Sequence, residues 1–260
     1  MTRDLSSAEA WDAAWEESRI DPGETLRIKH RGFDQDLHQL MARHGLDRGD
    51  GKACLELGCH PGRYLRHLHG LGYEVAGLEY VESRVGETEE GLRSVGVESE
   101  IFHGDFRSWD TERTWDLVLS FGLVEHFDDA VETFARHARF VKPGGHLLVT
   151  YPLHDGFYGG IMNWAAPDRL AQHNRMSMDD GKSACEAVDG LSLVESTFMG
   201  RFGFGTTRLI RRVDRLFPAS KLVMGVPLRV IERVGRGLLP NHDGLSPFAG
   251  LLCRRNPTEA

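Results

Sequence analysis

The chain contains no stretch of about 18 uninterrupted apolar residues, so nothing in it reads as a transmembrane helix. Its first residues, Met1 to Ala14, are polar and acidic and lack the apolar centre of a secretory signal. Both absences point to a cytoplasmic protein without stable membrane insertion. Cysteine is scarce: Cys54, Cys59, Cys185 and Cys253 form no Cys-x-x-Cys pair and share no spacing with histidine that would build a tetrahedral metal site, so reduced thiols and no metal are expected. Excess positive charge is missing as well. A net charge of −8 argues against general nucleic-acid binding, which needs clustered Lys and Arg to displace counterions. Internal repeats and low-complexity tracts are also absent.

What is present is the composition of an ordinary globular enzyme, 40% hydrophobic and 27% charged over 260 residues. Charge is unevenly spread: Arg201 to Arg236 holds nine basic residues against two acidic ones, Asp214 and Glu232. That pattern suits a solvated helix face, an anionic acceptor or a membrane surface. Two helical patterns, Ala8 to Glu17 and Phe33 to His44, flank the turn-like Asp21-Pro22-Gly23. Residues 1–51 therefore read as an N-terminal helical extension or cap, too short for a core of its own.

From Lys52 the pattern changes to short apolar runs alternating with helices, the mark of βαβ units and a parallel sheet. Strands are predicted at Ala53 to Leu57, Glu74 to Leu78, Glu100 to His103, Leu117 to Ser120 and His146 to Tyr151. Helices are predicted at Tyr64 to Leu71, Val81 to Ser94 and Ala130 to Phe140, with Lys142-Pro143-Gly144-Gly145 as the break before the fifth strand. Regularity is lost from Pro152 through Trp164, and helices follow at Pro167 to Ala171 and Asp179 to Ala187. Leu191 to Gly203 and Pro247 to Arg254 supply a sixth and a seventh strand. Between them lies a helical insertion, residues 206–238, broken by Pro218 and Pro227. The expected fold is α/β: a three-layer, Rossmann-like, seven-stranded, mostly parallel sheet forming one domain over residues 52–260.

The chemistry concentrates where strands end. Gly58 allows a sharp turn after the first strand, and Gly62 lets a helix N-terminus approach a ligand. Their Gly-x-x-x-Gly spacing does not meet the dinucleotide pattern, and no Lys-Ser/Thr pair marks a phosphate-binding P-loop. Glu56 at the end of the first strand suits a cationic amino group instead. Glu79, 21 residues beyond Gly58, closes the second strand where a carboxylate can accept from ribose hydroxyls. Asp105 closes the third, placed to accept from an adenine amino group while Phe106 covers the ring. Together they describe an adenosine pocket.

These motifs resemble those of the class I S-adenosylmethionine (SAM)-dependent methyltransferases. Glu56-Leu57-Gly58-Cys59-His60-Pro61-Gly62 looks like the family's first motif, Glu79 its acidic second and Gly104-Asp105-Phe106 its third. Trp115 to Phe127 resembles the fourth-strand block, and Val141 to Leu147 the lead into strand five. The match covers Lys52 to Pro152 with one departure: the family usually has glycine where His60 stands. The resemblance implies SAM as cofactor. Glu56 with the backbone of Gly58, Cys59 and Gly62 would hold its methionine end, Glu79 the ribose, and Asp105 and Phe106 the adenine, with Phe121 and Gly122 beside the sulfonium and Tyr80 as a further cofactor contact.

Methyl transfer from a sulfonium is an in-line displacement in which the protein chiefly orients the reactants and excludes water. Where the acceptor must lose a proton, His126 is the candidate base; the alternative is a structural Glu125-His126 pair. Tyr151, His154 and His173 are candidate acceptor contacts, whereas Trp11 and Trp15 are expected to pack the first helix. The predicted activity is transfer to an O or N atom of a small molecule, with no nucleic-acid partner and a homodimer as an allowed assembly. The alternatives are a non-catalytic SAM-binding module, a nicotinamide oxidoreductase disfavoured by the glycine spacing, and a nucleic-acid methyltransferase. The last lacks an Asn/Asp-Pro-Pro-Tyr/Phe block after strand four.

Overall fold

Strands that read as unbroken apolar runs need helices on both faces, because alternate side chains point to opposite sides of the sheet. The computed structural model describes residues 2–18, 24–216 and 226–257. The expected turn at residues 21–23, Pro218 and residues 221–225 with Leu222, Val223 and Met224 lie outside the described residues. Strands run over β1 Ala53–Leu57, β2 Glu74–Glu79, β3 Ser99–His103, β4 Trp115–Phe121, β5 Val141–Pro152, β6 Leu191–Met199 and β7 Phe248–Arg255. Helices are α1 Ala8–Ser18, α2 Phe33–Arg43, α3 Arg63–Gly70, α4 Glu82–Ser94, α5 Ala130–Arg139, α6 Phe157–Ala165, α7 Pro167–Leu170, α8 Met178–Glu186, α9 Leu209–Leu216 and α10 Val226–Leu238.

The seven strands form one sheet in the order β3-β2-β1-β4-β5-β7-β6. The first five are parallel, and β7 runs antiparallel between β5 and β6. Alternation divides the core. Leu55, Leu57, Val118, Leu147, Val149 and Leu251 face α5 and α8, meeting Phe134 and Cys185. Cys54, Leu117, Leu119, Leu148 and Leu252 face the other way, against Leu37 and Leu40 of α2, Leu65 of α3 and Leu92 of α4. All four cysteines are buried and free. No helix among the described residues is long and apolar enough to cross a membrane.

Three elements differ from expectation, the simplest being the sixth strand, which ends at Met199 rather than Gly203. Lys142 to Gly145 does not precede β5 but bulges within it: the register passes from Trp115 opposite Val141 to Leu117 opposite His146, two steps on β4 against five on β5. The segment expected to be irregular contains α6, whose central Gly159-Gly160 weakens helical propensity. Gly159 is required there, since a Cβ would meet the His154 carbonyl oxygen at 1.9 Å. Capping also sets the boundaries: the Asp129 carboxylate accepts from the Glu132 N–H at the start of α5, and Ser177 and Asp180 form a capping box on α8.

Candidate active site

The loop from β1 into α3 turns on two left-handed glycines, Gly58 (φ 74°) and Gly62 (φ 89°). A Cβ on Gly62 would lie 2.9 Å from Leu92 Cγ, so the position demands glycine for space as well as conformation. The N–H groups of Gly58 and Cys59 both donate to the Leu78 carbonyl (2.9 and 3.2 Å), which clamps the loop to β2. The Cys59 thiol is buried in the core, leaving only its backbone toward the loop. His60 turns toward α4: its Nδ1 lies 2.8 Å from Thr88 Oγ1, and its ring meets Trp15 edge-on. Thr88 Oγ1 donates to the Arg84 carbonyl, so Nδ1–H is the donor in that contact. A side chain at the family's glycine position is thus accommodated by pointing away.

Three acidic strand ends sit in different environments. Glu56 is buried, its Oε2 has no hydrogen-bond partner among the described residues, and burial followed by the nearby Glu79 charge pushes its carboxyl well above the usual range. Glu79 is raised by burial too, opposed by the N–H groups of Val81 and His60, which donate to its two oxygens at 2.9 and 3.3 Å. Asp105 is more open. Burial pushes it up, but the Arg107 guanidinium, 2.6 Å from its Oδ2, outweighs that and holds it below the usual range.

Gly58, Glu79, Tyr80, Asp105, Phe106, Phe121, Gly122 and His126 line one cavity. Glu56, Cys59 and Gly62 do not line it. Leu78, Gly104, Leu123 and Phe127 complete the sheet side, and the N-terminal segment adds Asp4, Trp11 and Trp15. It is strapped down by the Leu5 N–H donating to the His126 carbonyl (2.8 Å), a bridge between Asp4 and Phe127, and the Arg84–Asp12 ion pair (2.8 Å). Trp11 stacks on Trp15 and also stands 4.4 Å from the His126 ring. These tryptophans, expected to pack the first helix, also line the cavity. Their i, i+4 spacing was the available signal; Asp4 carried none.

His126 is buried, with its Nδ1 2.8 Å from Ser6 Oγ. His173 lies against it at 4.6 Å between ring centres, and His154 stands edge-on to His173 at 5.1 Å. Burial lowers the basicity of all three, assisted at His126 by His173, Arg169 and His154, at His154 by His173 and Arg175, and at His173 by Arg169; His154 falls to about 3. Glu125 is pushed up to about 8 by burial. Tyr151, expected among the acceptor contacts, does not belong there. It shares strand parity with Leu147 and Val149, is fully buried beneath α8, and donates its hydroxyl to the Ser177 carbonyl at 2.9 Å.

A second, wider cleft of about 1190 Å³ opens beside the first. Phe33, Tyr64 and Phe121 separate the two, with Tyr64 and Phe121 4.0 Å apart. Arg229, Arg233 and Arg236 of α10 face Arg27, Arg31 and Arg63 across it, with Glu24, Asp34 and Glu232 interspersed. Part of the basic 201–236 segment is therefore cleft wall.

A family model described as a methyltransferase domain matches residues 28–195. A ubiquinone biosynthesis O-methyltransferase of Aromatoleum aromaticum is 25% identical over 143 residues, which take in 49% of this chain and 61% of that protein. A Vibrio parahaemolyticus enzyme of the same name is 26% identical over 148 residues, 50% and 62% of the two chains. The chain thus spans about six-tenths of the length of these curated relatives. Among solved structures, geranyl diphosphate C-methyltransferase from Streptomyces coelicolor superposes with a TM-score of 0.61 at 13% identity, covering 97% of this chain and 100% of that one. Coclaurine N-methyltransferase gives 0.59 at 15% identity, covering 84% and 71%. O-, N- and C-methylating enzymes are thus all similar to it, and the shared fold does not select the attacked atom. A domain match over more than half of the chain, with the sheet order and strand-end motifs described above, makes this chain a member of the class I SAM-dependent methyltransferase family.

Proposed function

We propose that the protein transfers a methyl group from SAM to an oxygen or nitrogen atom of a small-molecule acceptor. The cavity lined by Gly58, Glu79, Asp105 and Phe106 is the observation that carries the cofactor reading, and the partnerless Glu56 oxygen, buried at the end of β1 before that glycine, supports it. A buried carboxylate oxygen without a partner is costly, and the α-amino group of a methionine moiety supplies the missing cationic donor. Glu79 is suited to the ribose hydroxyls, Tyr80 to the neighbouring wall, and Phe106 to the face of the adenine, with Asp105 and its bound Arg107 at the purine edge. When bound, SAM supplies a methyl group on a positively charged sulfur. The chain's part is to hold that carbon in line with the acceptor, to exclude water with Trp11, Trp15 and Phe121, and to present His126 to the acceptor. His126 is positioned to orient the acceptor or take its proton; His154 and His173, behind it, are proposed to shape the acceptor end.

Calorimetric titration with S-adenosylhomocysteine tests the cofactor assignment. One site per chain is expected, weakened roughly 10-fold or more in Glu79→Ala, since a hydrogen bond to a charged group contributes about 1.5–3 kcal/mol. Asp105→Ala should weaken binding in the same direction. Unchanged affinity in both variants would place the nucleoside elsewhere.

A further inference from the structure

The Glu125, His126 and His173 side chains bring one candidate ligand atom each to within 4.8 Å of one another. We infer that they form a divalent-metal site opening onto the cofactor cavity. The inference rests on the methyl-transfer reading for its role but not for its existence.

Donor chemistry and geometry agree. His173 Nδ1 lies 2.6 Å from the Arg169 carbonyl, which can only accept, so this nitrogen carries the proton and Nε2 keeps its lone pair. A carbonyl holding the far nitrogen of a ligating imidazole is how metal-bound histidines are commonly oriented. His126 reaches the same state when its Nδ1–H donates to Ser6 Oγ, which leaves Nε2 3.9 Å from Glu125 Oε1. Two further observations show donors without partners in this pocket. Glu125 Oε2 is buried and makes no hydrogen bond, and neither ring nitrogen of buried His154, in contact with His173, has a partner among the described residues. Buried polar atoms are ordinarily satisfied, and a cation satisfies several at once.

Two imidazoles and a carboxylate favour zinc or a neighbouring transition ion over magnesium or calcium, and three protein ligands leave a coordination position open. His126 also lines the cavity, so in this proposal an acceptor entering there reaches the open position. A hydroxyl bound there loses its proton to solvent more readily and keeps lone pairs for attack. The new O–C bond then forms as the C–S bond breaks, and its electron pair returns to sulfur. An amine would spend its only lone pair on the metal. The site therefore selects an oxygen acceptor.

Cobalt(II) titration of the untagged, chelator-treated protein tests this, because its visible d–d absorption reports low-coordinate binding directly. The expected result is one cobalt ion per chain with an intense band, erased by zinc and untouched by excess magnesium. His173→Ala should weaken binding at least about 100-fold, more than the 10–100-fold known for losing a group that merely orients a ligand. Glu125→Gln, with its shape retained, should act in the same direction. Absence of the band in the wild type, or its persistence unchanged in His173→Ala, would overturn the site. S-adenosylhomocysteine titration on the same samples reports folding and cofactor binding. Retained nucleoside binding without metal uptake sinks the metal site alone, while metal uptake without nucleoside binding sinks the cofactor reading alone.

Discussion

At the scale of single residues, the protein keeps partnerless carboxyl oxygens and tight backbone where ligands are expected. Glu56 and Glu125 are both buried carboxyls with one oxygen unpartnered, one at the cofactor loop and one beside the histidines. Each is an isolated desolvation cost that only a ligand or proton relieves. Gly62 is constrained differently. Its φ of 89° and the 2.9 Å approach of Leu92 Cγ to a would-be Cβ act together, and Leu92 is itself fully buried and cannot swing aside. Gly62→Ala is expected to cost about 2 kcal/mol or more, combining left-handed strain with overpacking. A lower urea midpoint with an unchanged slope would show it; an unaltered midpoint would mean the loop relaxes freely.

At the scale of elements, α5 is pinned to the sheet through one buried imidazole. His137 Nδ1 lies 2.7 Å from the Thr133 carbonyl, and Nε2 lies 3.0 Å from Ser120 Oγ on β4. Burial lowers its pKa from 6.5 to about 4. The unfolded chain therefore takes up this proton below about pH 6.5 while the folded chain refuses it down to about pH 4. Its contribution is complete above the unfolded value and is lost as pH falls through that window. Urea unfolding at pH 7 and pH 5 should differ by about 2 kcal/mol from this group, at ~1.4 kcal/mol per unit. In His137→Gln the pH slope should be shallower; an identical slope would mean that other groups carry it.

Elements also separate what was legible from what was not. β1 matches its expected bounds because alternation and flanking turns are local. α6 was missed because Gly159 and Gly160 answer to the His154 carbonyl rather than to helical propensity. The β5 bulge looked like a break because Pro and Gly mark both. Tyr151 was misassigned by its position near a strand end, although its parity with Val149 already pointed it at the core.

At the scale of the molecule, the N-terminal segment joins distant parts of the chain over one cavity. Asp4, Ser6, Trp11 and Asp12 meet Phe127, His126 and Arg84, so the N-terminal segment closes over the cavity at the strand ends. Removing residues 1–18 is expected to raise the dissociation constant for S-adenosylhomocysteine roughly 10-fold or more, about 1.4 kcal/mol of lost contact. The core packed on both faces of the sheet lies outside that segment, so the unfolding midpoint should move little. Equal affinity with and without the segment would show that α1 does not cover the bound nucleoside.

The sequence by itself determined the strand succession, the glycine loop and the acidic strand ends, because each depends on neighbours a few residues apart and on the period of the backbone. Only the tertiary structure decided which side chains share a space. Glu125, His154 and His173 converge through the ends of β4 and β5 and the turn after α7, and Trp11 reaches His126 across more than a hundred residues. Such convergence is set by sheet order and helix docking, which no local spacing records.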